Sequence, residues 1–222
     1  VDDTLYECNS YALSIINARY PDEEPISINE ITAWGRCGRR ADERIALYSD
    51  PEFVATQPII HGAQKFVREL SKHCDVFFIT AVPARCMSAR AERLIKDFPE
   101  IPPENIIIGT RNEIMQLDIL LDDGAHNISK SKAAYPVLFR KSWNSHLSGL
   151  LSVNSYSDFL HLCKMVRNSF IATTPDISGG GVLCLVGPSG SHKTEIAKEL
   201  CEISPKFEKP ITSTTRPKRT DE

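Results

Sequence analysis

Long apolar runs are missing from this sequence. No stretch approaches the roughly 20 residues that a membrane helix needs, and no basic-then-apolar leader is present. Paired cysteines are missing too. The seven cysteines (Cys8, Cys37, Cys74, Cys86, Cys163, Cys184, Cys201) are odd in number, dispersed and without a C-x-x-C pair. That pattern argues against a disulfide framework and against structural zinc, and it reads as a set of inert thiols in a reducing cytoplasm. Nor is there a surplus of one charge. Lys and Arg total 26 against 29 Asp and Glu, a net charge of -3, so neither a nucleic-acid polymer nor a membrane surface is expected as a partner, and any phosphate binding must be local. The oligomeric state is left open.

What is present is ordinary for a globular protein: 41% hydrophobic and 25% charged residues over 222 positions, enough for one large domain or two small ones. Val1 is not a start methionine and leads directly into an acidic motif, while Glu222 closes a charged run. The chain therefore reads as a fragment at both ends. Residues 7–20 place Leu13, Ile15, Ile16 and Tyr20 on a helical pattern that Pro21 ends, and residues 22–58 read as a polar, irregular region placed to cap a site. From His61 onward helical and apolar-strand patterns alternate. A helix carries Phe66, Val67 and Leu70; a strand runs 76–79; a helix follows at 89–98; strands follow at 106–108, 119–121 and 135–139; and a last helix covers 156–166. This rhythm predicts an α/β fold with a parallel sheet covered on both faces. Residues 169–180 lose periodicity and end in glycines, the composition of a linker. The expected organisation is thus a first domain over 1–168, a linker over 169–180 and the start of a second domain over 181–222.

Three polar clusters take positions at strand ends: Asp2-Asp3-Thr4, Thr80 after an apolar strand, and Asp122-Asp123 after another. Strand ends of a parallel sheet converge on the ligand crevice. Converging carboxylates repel unless a cation sits among them, and oxygen ligands beside phosphate favour magnesium. The bland alternative is that these acids only cap helices and turns. Trp34 reads as a packed residue with base stacking as its other use, and His61 and His126 read as ordinary hydrogen-bonding residues.

On these motifs the first domain resembles the haloacid dehalogenase superfamily, with its D-x-D-x-T opening, a strand ending in Thr, and an acidic pair. The segments 58–63, 79–81, 121–127 and 139–144 bring it closer to the 5'(3')-deoxyribonucleotidases. The resemblance implies a Rossmann-like sheet with a small helical cap, and an aspartate nucleophile immediately before Val1 that forms an aspartyl-phosphate. It further implies Asp2 as general acid/base and backbone Mg2+ ligand, Thr4 as a motif residue, Thr80 as a donor to the phosphoryl group, and Asp122 or Asp123 completing the metal site. Where the family carries a phosphate-neutralising lysine this chain has Asn112, with Arg111 beside it as the candidate substitute.

A second constellation, Gly187-Pro188-Ser189-Gly190-Ser191-His192-Lys193-Thr194, follows an apolar strand and precedes a helical stretch at 195–201. This is the setting of a phosphate loop, in which backbone N–H groups cradle phosphates, Lys193 reaches the β and γ groups and Thr194 holds magnesium. With Thr212, Arg216 and Arg219 downstream, residues 181–222 resemble the opening of a guanylate kinase, a P-loop α/β fold. That resemblance implies ATP bound at Gly187, Ser189, Gly190, Ser191, Lys193 and Thr194, and GMP bound at Thr212, Arg216 and Arg219. The reading as a whole is a cytoplasmic enzyme of nucleotide metabolism. It combines Mg2+-dependent removal of phosphate from (deoxy)nucleoside monophosphates with ATP-dependent phosphorylation of GMP. The rival, favoured by Asn112 and His192, is a nucleotide-binding regulator whose sites have decayed.

Overall fold

A computed structural model of the chain describes residues 1–110, 115–172, 196–198 and 201–202. The chain divides into two units, Val1–Arg167 and Asn168–Glu222. In the second, residues 196–198 and 201–202 are helical; the phosphate loop and the residues after it lie outside the described residues. All packing below concerns the first unit.

Its helices are α1 (Asn9–Arg19), α2 (Ala41–Leu47), α3 (Pro51–Thr56), α4 (Ala63–Ser71), α5 (Met87–Asp97), α6 (Ala125–Lys130) and α7 (Tyr156–Ala172). They are interspersed with strands β1 (Phe78–Thr80), β2 (Ile106–Ile108), β3 (Ile119–Asp122), β4 (Tyr135–Phe139) and β5 (Ser152–Val153). Every pairing between the described strands is parallel. β1 pairs with β2, Thr80 opposite Ile108, and β3-β4-β5 form a second sheet with Asp122 opposite Leu138. Parallel pairs need crossover segments between them, and α5, between β1 and β2, and α6, between β3 and β4, supply them. Thr80 and Asp122 therefore end their strands at corresponding positions. An apolar slot of about 150 Å3 is lined from both sheets by Phe78, Ile79, Ile119 and Leu121, with Val1, Thr4 and Leu5 also on its wall.

Two hydrophobic clusters flank the site. One, beneath the sheets, joins Leu5, Tyr6, Phe66, Phe78, Phe98, Val137 and Phe159. Phe66 of α4 stacks on Tyr156 of α7 at 4.4 Å, and Phe78 meets Phe98 edge-on at 5.2 Å. The other joins Cys8, Leu13, Ile16, Ile31, Leu47, Phe53 and Trp143 and forms the core of the cap.

The cap departs from its sequence reading. Residues 22–58, expected to be irregular, contain α2 and α3 and a 3-10 turn at Ile28–Glu30. Each is short, so no apolar period has room to show, and each starts on a local signal. Ser27 and Glu30 close a capping box, and Asp50 accepts the Glu52 N–H with Pro51 at the first helical position. The first helix is Asn9–Arg19, shorter than 7–20, and buries Ala12, Leu13 and Ile16, while Tyr20 lies beyond its end. The strand expected at 76–79 is Phe78–Thr80. β5 has only 2 residues, too few for an alternation to register.

Candidate active site

The first residues fold back on themselves before entering α1. Asp3 adopts a left-handed backbone conformation (φ 50°), a region that asparagine and aspartate enter more readily than other side chains. Its buried carboxylate turns onto the start of α1, where it accepts the backbone N–H groups of Cys8 (3.0 Å) and Asn9 (3.1 Å) and the Asn9 side-chain amide (2.6 Å). Asp3 is thus the capping anion of α1, reaching it from five residues upstream. Asp2, beside it, lines a cavity of about 840 Å3.

This cavity gathers the strand ends. Val1, Asp2 and Asp3 line it with Thr80 and Ala81 from the end of β1, Asp122 and Asp123 from the end of β3, His126, Asn127 and Lys130 from α6, and Trp34, Arg44, Tyr48 and Phe53 from the cap. Thr80 is buried, and its hydroxyl makes no hydrogen bond to a described residue, so a donor stands free at the strand end. Thr4 is not brought in. Its hydroxyl is buried without a partner, its carbonyl accepts from the Tyr156 hydroxyl (2.6 Å), and it lines the apolar slot instead. Arg111 and Asn112 lie outside the described residues. So do Gly187, Ser189, Gly190, Ser191, Lys193, Thr194, Thr212, Arg216 and Arg219.

The two acids after β3 have different duties. Asp122 accepts the Gly124 N–H (2.7 Å) and the Asn127 amide on both oxygens (3.0 and 3.1 Å), which turns the chain into α6. Asp123 is held on one oxygen by the Trp143 indole N–H (3.0 Å), while the Asn144 amide binds its backbone carbonyl (2.9 Å). Its other oxygen has no hydrogen-bond partner among the described residues. Burial pushes the Asp123 carboxyl well above the usual carboxylate range, and the charges of Asp3 and Asp122 add to that rise. Asp3 is raised as well, by burial first and by the charge of Asp2, against the opposing pull of its N–H donors.

Buried acids that raise one another's pKa fit a cation among them, which would relieve the repulsion. Among the described residues no three His, Cys, Asp or Glu side chains converge on one point. Magnesium does not require that, since it is usually held by one or two carboxylates, waters and substrate phosphate. Asp123, with its free oxygen, suits the role better than Asp122.

Asp2 behaves oppositely. Burial alone would raise its carboxyl, but the Arg90 guanidinium and the Gln57 amide pull against it and hold it below the usual range. Three contributors to this cavity went unnoticed in the sequence. Arg90 sits on α5 and Gln57 at the end of α3, both outside the motif segments. Lys130, two turns after the acidic pair, lines the cavity without a hydrogen bond or ion pair to another described residue. Only the i, i+4 spacing of His126 and Lys130 on α6 could have linked Lys130 to the site.

The cap closes over this floor through Arg44 and Trp34. Arg44 is buried and binds the carbonyls of Gly35 (2.7 Å) and Cys37 (3.0 Å), the Tyr48 hydroxyl (3.1 Å) and the Asn9 amide oxygen, tying the 33–37 loop to α1 and α2. Trp34 is not the packed residue its sequence reading favoured. It is 62% exposed and lines the cavity, its ring edge-on to His126 at 4.5 Å. Gly35, next in the chain, turns at φ 86°, a left-handed conformation that glycine adopts without strain. His126, read as an ordinary residue, is the core's contact with that ring.

Residues 1–169 match the family described as 5' nucleotidase, deoxy (pyrimidine), cytosolic type C protein. The chain is similar to the 5'(3')-deoxyribonucleotidase of Bacillus subtilis strain 168 and to that of Bacillus phage SPbeta. Each is 28% identical over 161 residues, 71% of this chain and 92% of the relative. A putative 5'(3')-deoxyribonucleotidase of Staphylococcus aureus strain Mu50 is 29% identical over 112 residues, 49% of this chain and 61% of that protein.

Proposed function

The chain belongs to the family of cytosolic type C deoxy (pyrimidine) 5'-nucleotidases, and from that we propose that it is a phosphomonoesterase acting on (deoxy)nucleoside monophosphates. The observation that carries the reading is the convergence of Asp2, Thr80 and Asp123 in one cavity beneath a cap that ends in an aromatic ring. Its volume, about 840 Å3, lies in the range of small-molecule sites.

In this reading the nucleophile is an aspartate immediately before Val1, on a strand that occupies the apolar slot between β1 and β3. Support comes from Val1, which lines both the slot and the cavity floor. A carboxylate oxygen attacks phosphorus and the bond from phosphorus to the 5' oxygen breaks. The negative charge of the bound phosphate beside Asp2 favours its protonated form, so that Asp2 delivers a proton to the departing oxygen, then removes one from the water that opens the aspartyl-phosphate. The Thr80 hydroxyl donates to a phosphoryl oxygen. Arg111 is the sequence candidate for neutralising the phosphate, and Lys130 is a second cation on the cavity wall. Magnesium, held by Asp123 and the Asp2 backbone, would supply charge neutralisation at the transferring group.

Trp34 is positioned to cover a nucleobase. Trp34→Ala is expected to raise KM for deoxynucleoside monophosphates about tenfold or more, within the ~1–3 kcal/mol of base stacking. It should leave kcat nearly unchanged, because the indole lies away from the reacting atoms; steady-state kinetics check this.

For residues 181–222 the proposal is ATP-dependent phosphorylation of GMP, supported by the phosphate loop and the arginine pair in the sequence. The test of both halves uses the full protein with an aspartate preceding Val1. Phosphate release is measured over a panel of (deoxy)nucleoside monophosphates with and without Mg2+, and ATP-dependent GMP phosphorylation is measured alongside. Release that depends on Mg2+ and disappears in Asp2→Asn supports the nucleotidase. No release from any monophosphate, with nucleotide still bound, replaces it with a binding regulator.

A further inference from the structure

The acid/base candidate is held by two side chains that no motif contains. Arg90, on α5, is 1% exposed, and its Nη2 donates to Asp2 Oδ1 at 2.6 Å and to Gln57 Oε1 at 2.9 Å. Because Gln57 Oε1 accepts from Arg90, the amide must turn Nε2 toward Asp2, and Nε2 donates to the same Oδ1 at 3.0 Å. Both bonds to Asp2 therefore fall on one oxygen, and no described hydrogen bond uses Oδ2. The Asp2 side chain keeps 33% of its surface open.

The neighbouring Arg93 is a useful contrast. It pairs with Asp97 of its own helix at 2.8 Å and donates to the carbonyls of Gln57 (2.9 Å) and Ala55, a structural tie between α5 and the end of α3. Arg90 has no such economy. Its Nε and Nη1 are buried without partners, an arrangement that works against stability, since a buried guanidinium is costly unless its donors are satisfied. Apolar residues of similar size would fill the place at lower cost. What Arg90 gains is the grip on Asp2, reached across 88 residues of sequence.

We propose that Arg90 and Gln57 are positioning residues that lock Asp2 Oδ1 and present Oδ2 to the cavity as the proton-transferring oxygen. This rests on the nucleotidase reading above. The lock fixes the carboxylate plane, so that Oδ2 has one direction in which to give or take a proton. Arg93 contributes indirectly by fixing the backbone of Gln57.

The discriminating variable is the leaving group. A nucleoside leaves as an alkoxide that needs a proton in the transition state, whereas the p-nitrophenolate of p-nitrophenyl phosphate leaves without one. The full protein with its aspartate before Val1 is assayed on a deoxynucleoside monophosphate and on p-nitrophenyl phosphate, as wild type, Arg90→Met, Arg90→Lys and Gln57→Leu. Arg90→Met is expected to lower kcat/KM, which reports the transfer of phosphate to the nucleophile, about 100-fold on the nucleotide, at the lower end of what positioned acid/base groups contribute, and less than about tenfold on p-nitrophenyl phosphate. The Kd of the nucleotide should move little. Arg90→Lys should recover part of the loss, and Gln57→Leu should show the same selectivity with a smaller drop, about tenfold on the nucleotide. Equal losses of kcat/KM on both substrates, or an undiminished nucleotide kcat/KM, overturn the clamp while leaving the nucleotidase in place. A wild type that hydrolyses neither ester overturns the nucleotidase reading and the clamp with it. Should Arg90→Met fail to fold, as a thermal melt would reveal, Gln57→Leu decides by the same ratio.

Discussion

Asp123→Asn is expected to raise the thermal midpoint of the metal-free protein at pH 8 while abolishing its turnover of nucleotides. The sign follows from the direction of the shift. The folded Asp123 carboxyl holds its proton to a higher pH than the unfolded chain does, because burial and the charges of Asp3 and Asp122 oppose ionisation. Its contribution to stability is therefore intact below about pH 4, where both states are protonated, and is lost as pH rises through the folded-state value. Asp3 is raised and acts in the same direction. Asp2 is lowered, so its contribution is present above about pH 4 and lost on acidification below it. The metal-free protein should accordingly be most stable in mild acid and weaken toward pH 8. Asparagine removes the buried charge and keeps an acceptor for Trp143. A gain of one or two kcal/mol corresponds to roughly 2–8 °C in a domain of this size. Millimolar Mg2+ should narrow the difference by stabilising the parent and not the variant. A melt that shows no stabilisation of Asp123→Asn at pH 8 would remove the argument that these acids strain against one another without a cation.

The second large effect is the loss of nucleotide turnover in Asp2→Asn. Asparagine keeps the size of the side chain and an oxygen for Arg90 and Gln57, so the cavity should keep its shape. It cannot transfer a proton. Phosphate release from deoxynucleoside monophosphates is expected to fall by about 10² to 10⁴, the usual worth of a positioned acid/base group. The accumulated species should be informative as well. With an activated ester the first step no longer needs the acid, but attack of water still needs a base, so Asp2→Asn should build up aspartyl-phosphate, visible as a pre-steady-state burst of p-nitrophenol. Nucleotide turnover within a few-fold of the parent would assign the proton to another group.

The parts of this site that were legible in the sequence are those attached to apolar strands. Thr80 and Asp123 could be placed because a parallel strand announces itself as a continuous apolar run, and its end points to the crevice. Asp2 was legible through its motif. Arg90 and Gln57 were not, because their partner is 88 and 55 residues away and a charged residue in an amphipathic helix looks like a solvated one. Asp3 was read with the strand-end acids, and nothing local marks it as the cap of a helix that starts six residues later. The helices of the cap are illegible for a related reason: with six and seven residues they bury two side chains each, too few for a period to emerge. Trp34 reads as a packed residue on the general habit of tryptophan, and its exposure in the cap is set by tertiary placement that no local pattern records.

The N-terminal segment has a consequence for how the molecule is made. Thr4 is bonded by Tyr156, Leu5 by Ile60, Tyr6 by Asp97 and Asp2 by Arg90. Residues 2–6 are thus fastened by partners as far along the chain as Tyr156. Contacts so distant in sequence slow folding, since long loops must close before they are rewarded. On the ribosome, Asp2 has none of its surroundings until α5 has emerged, and the segment that carries it is not secured until α7 follows. The cavity floor is thus assembled only after α5 and α7 have been made, and a nascent chain stalled anywhere before residue 156 should hold Asp2 and Asp3 in no fixed arrangement.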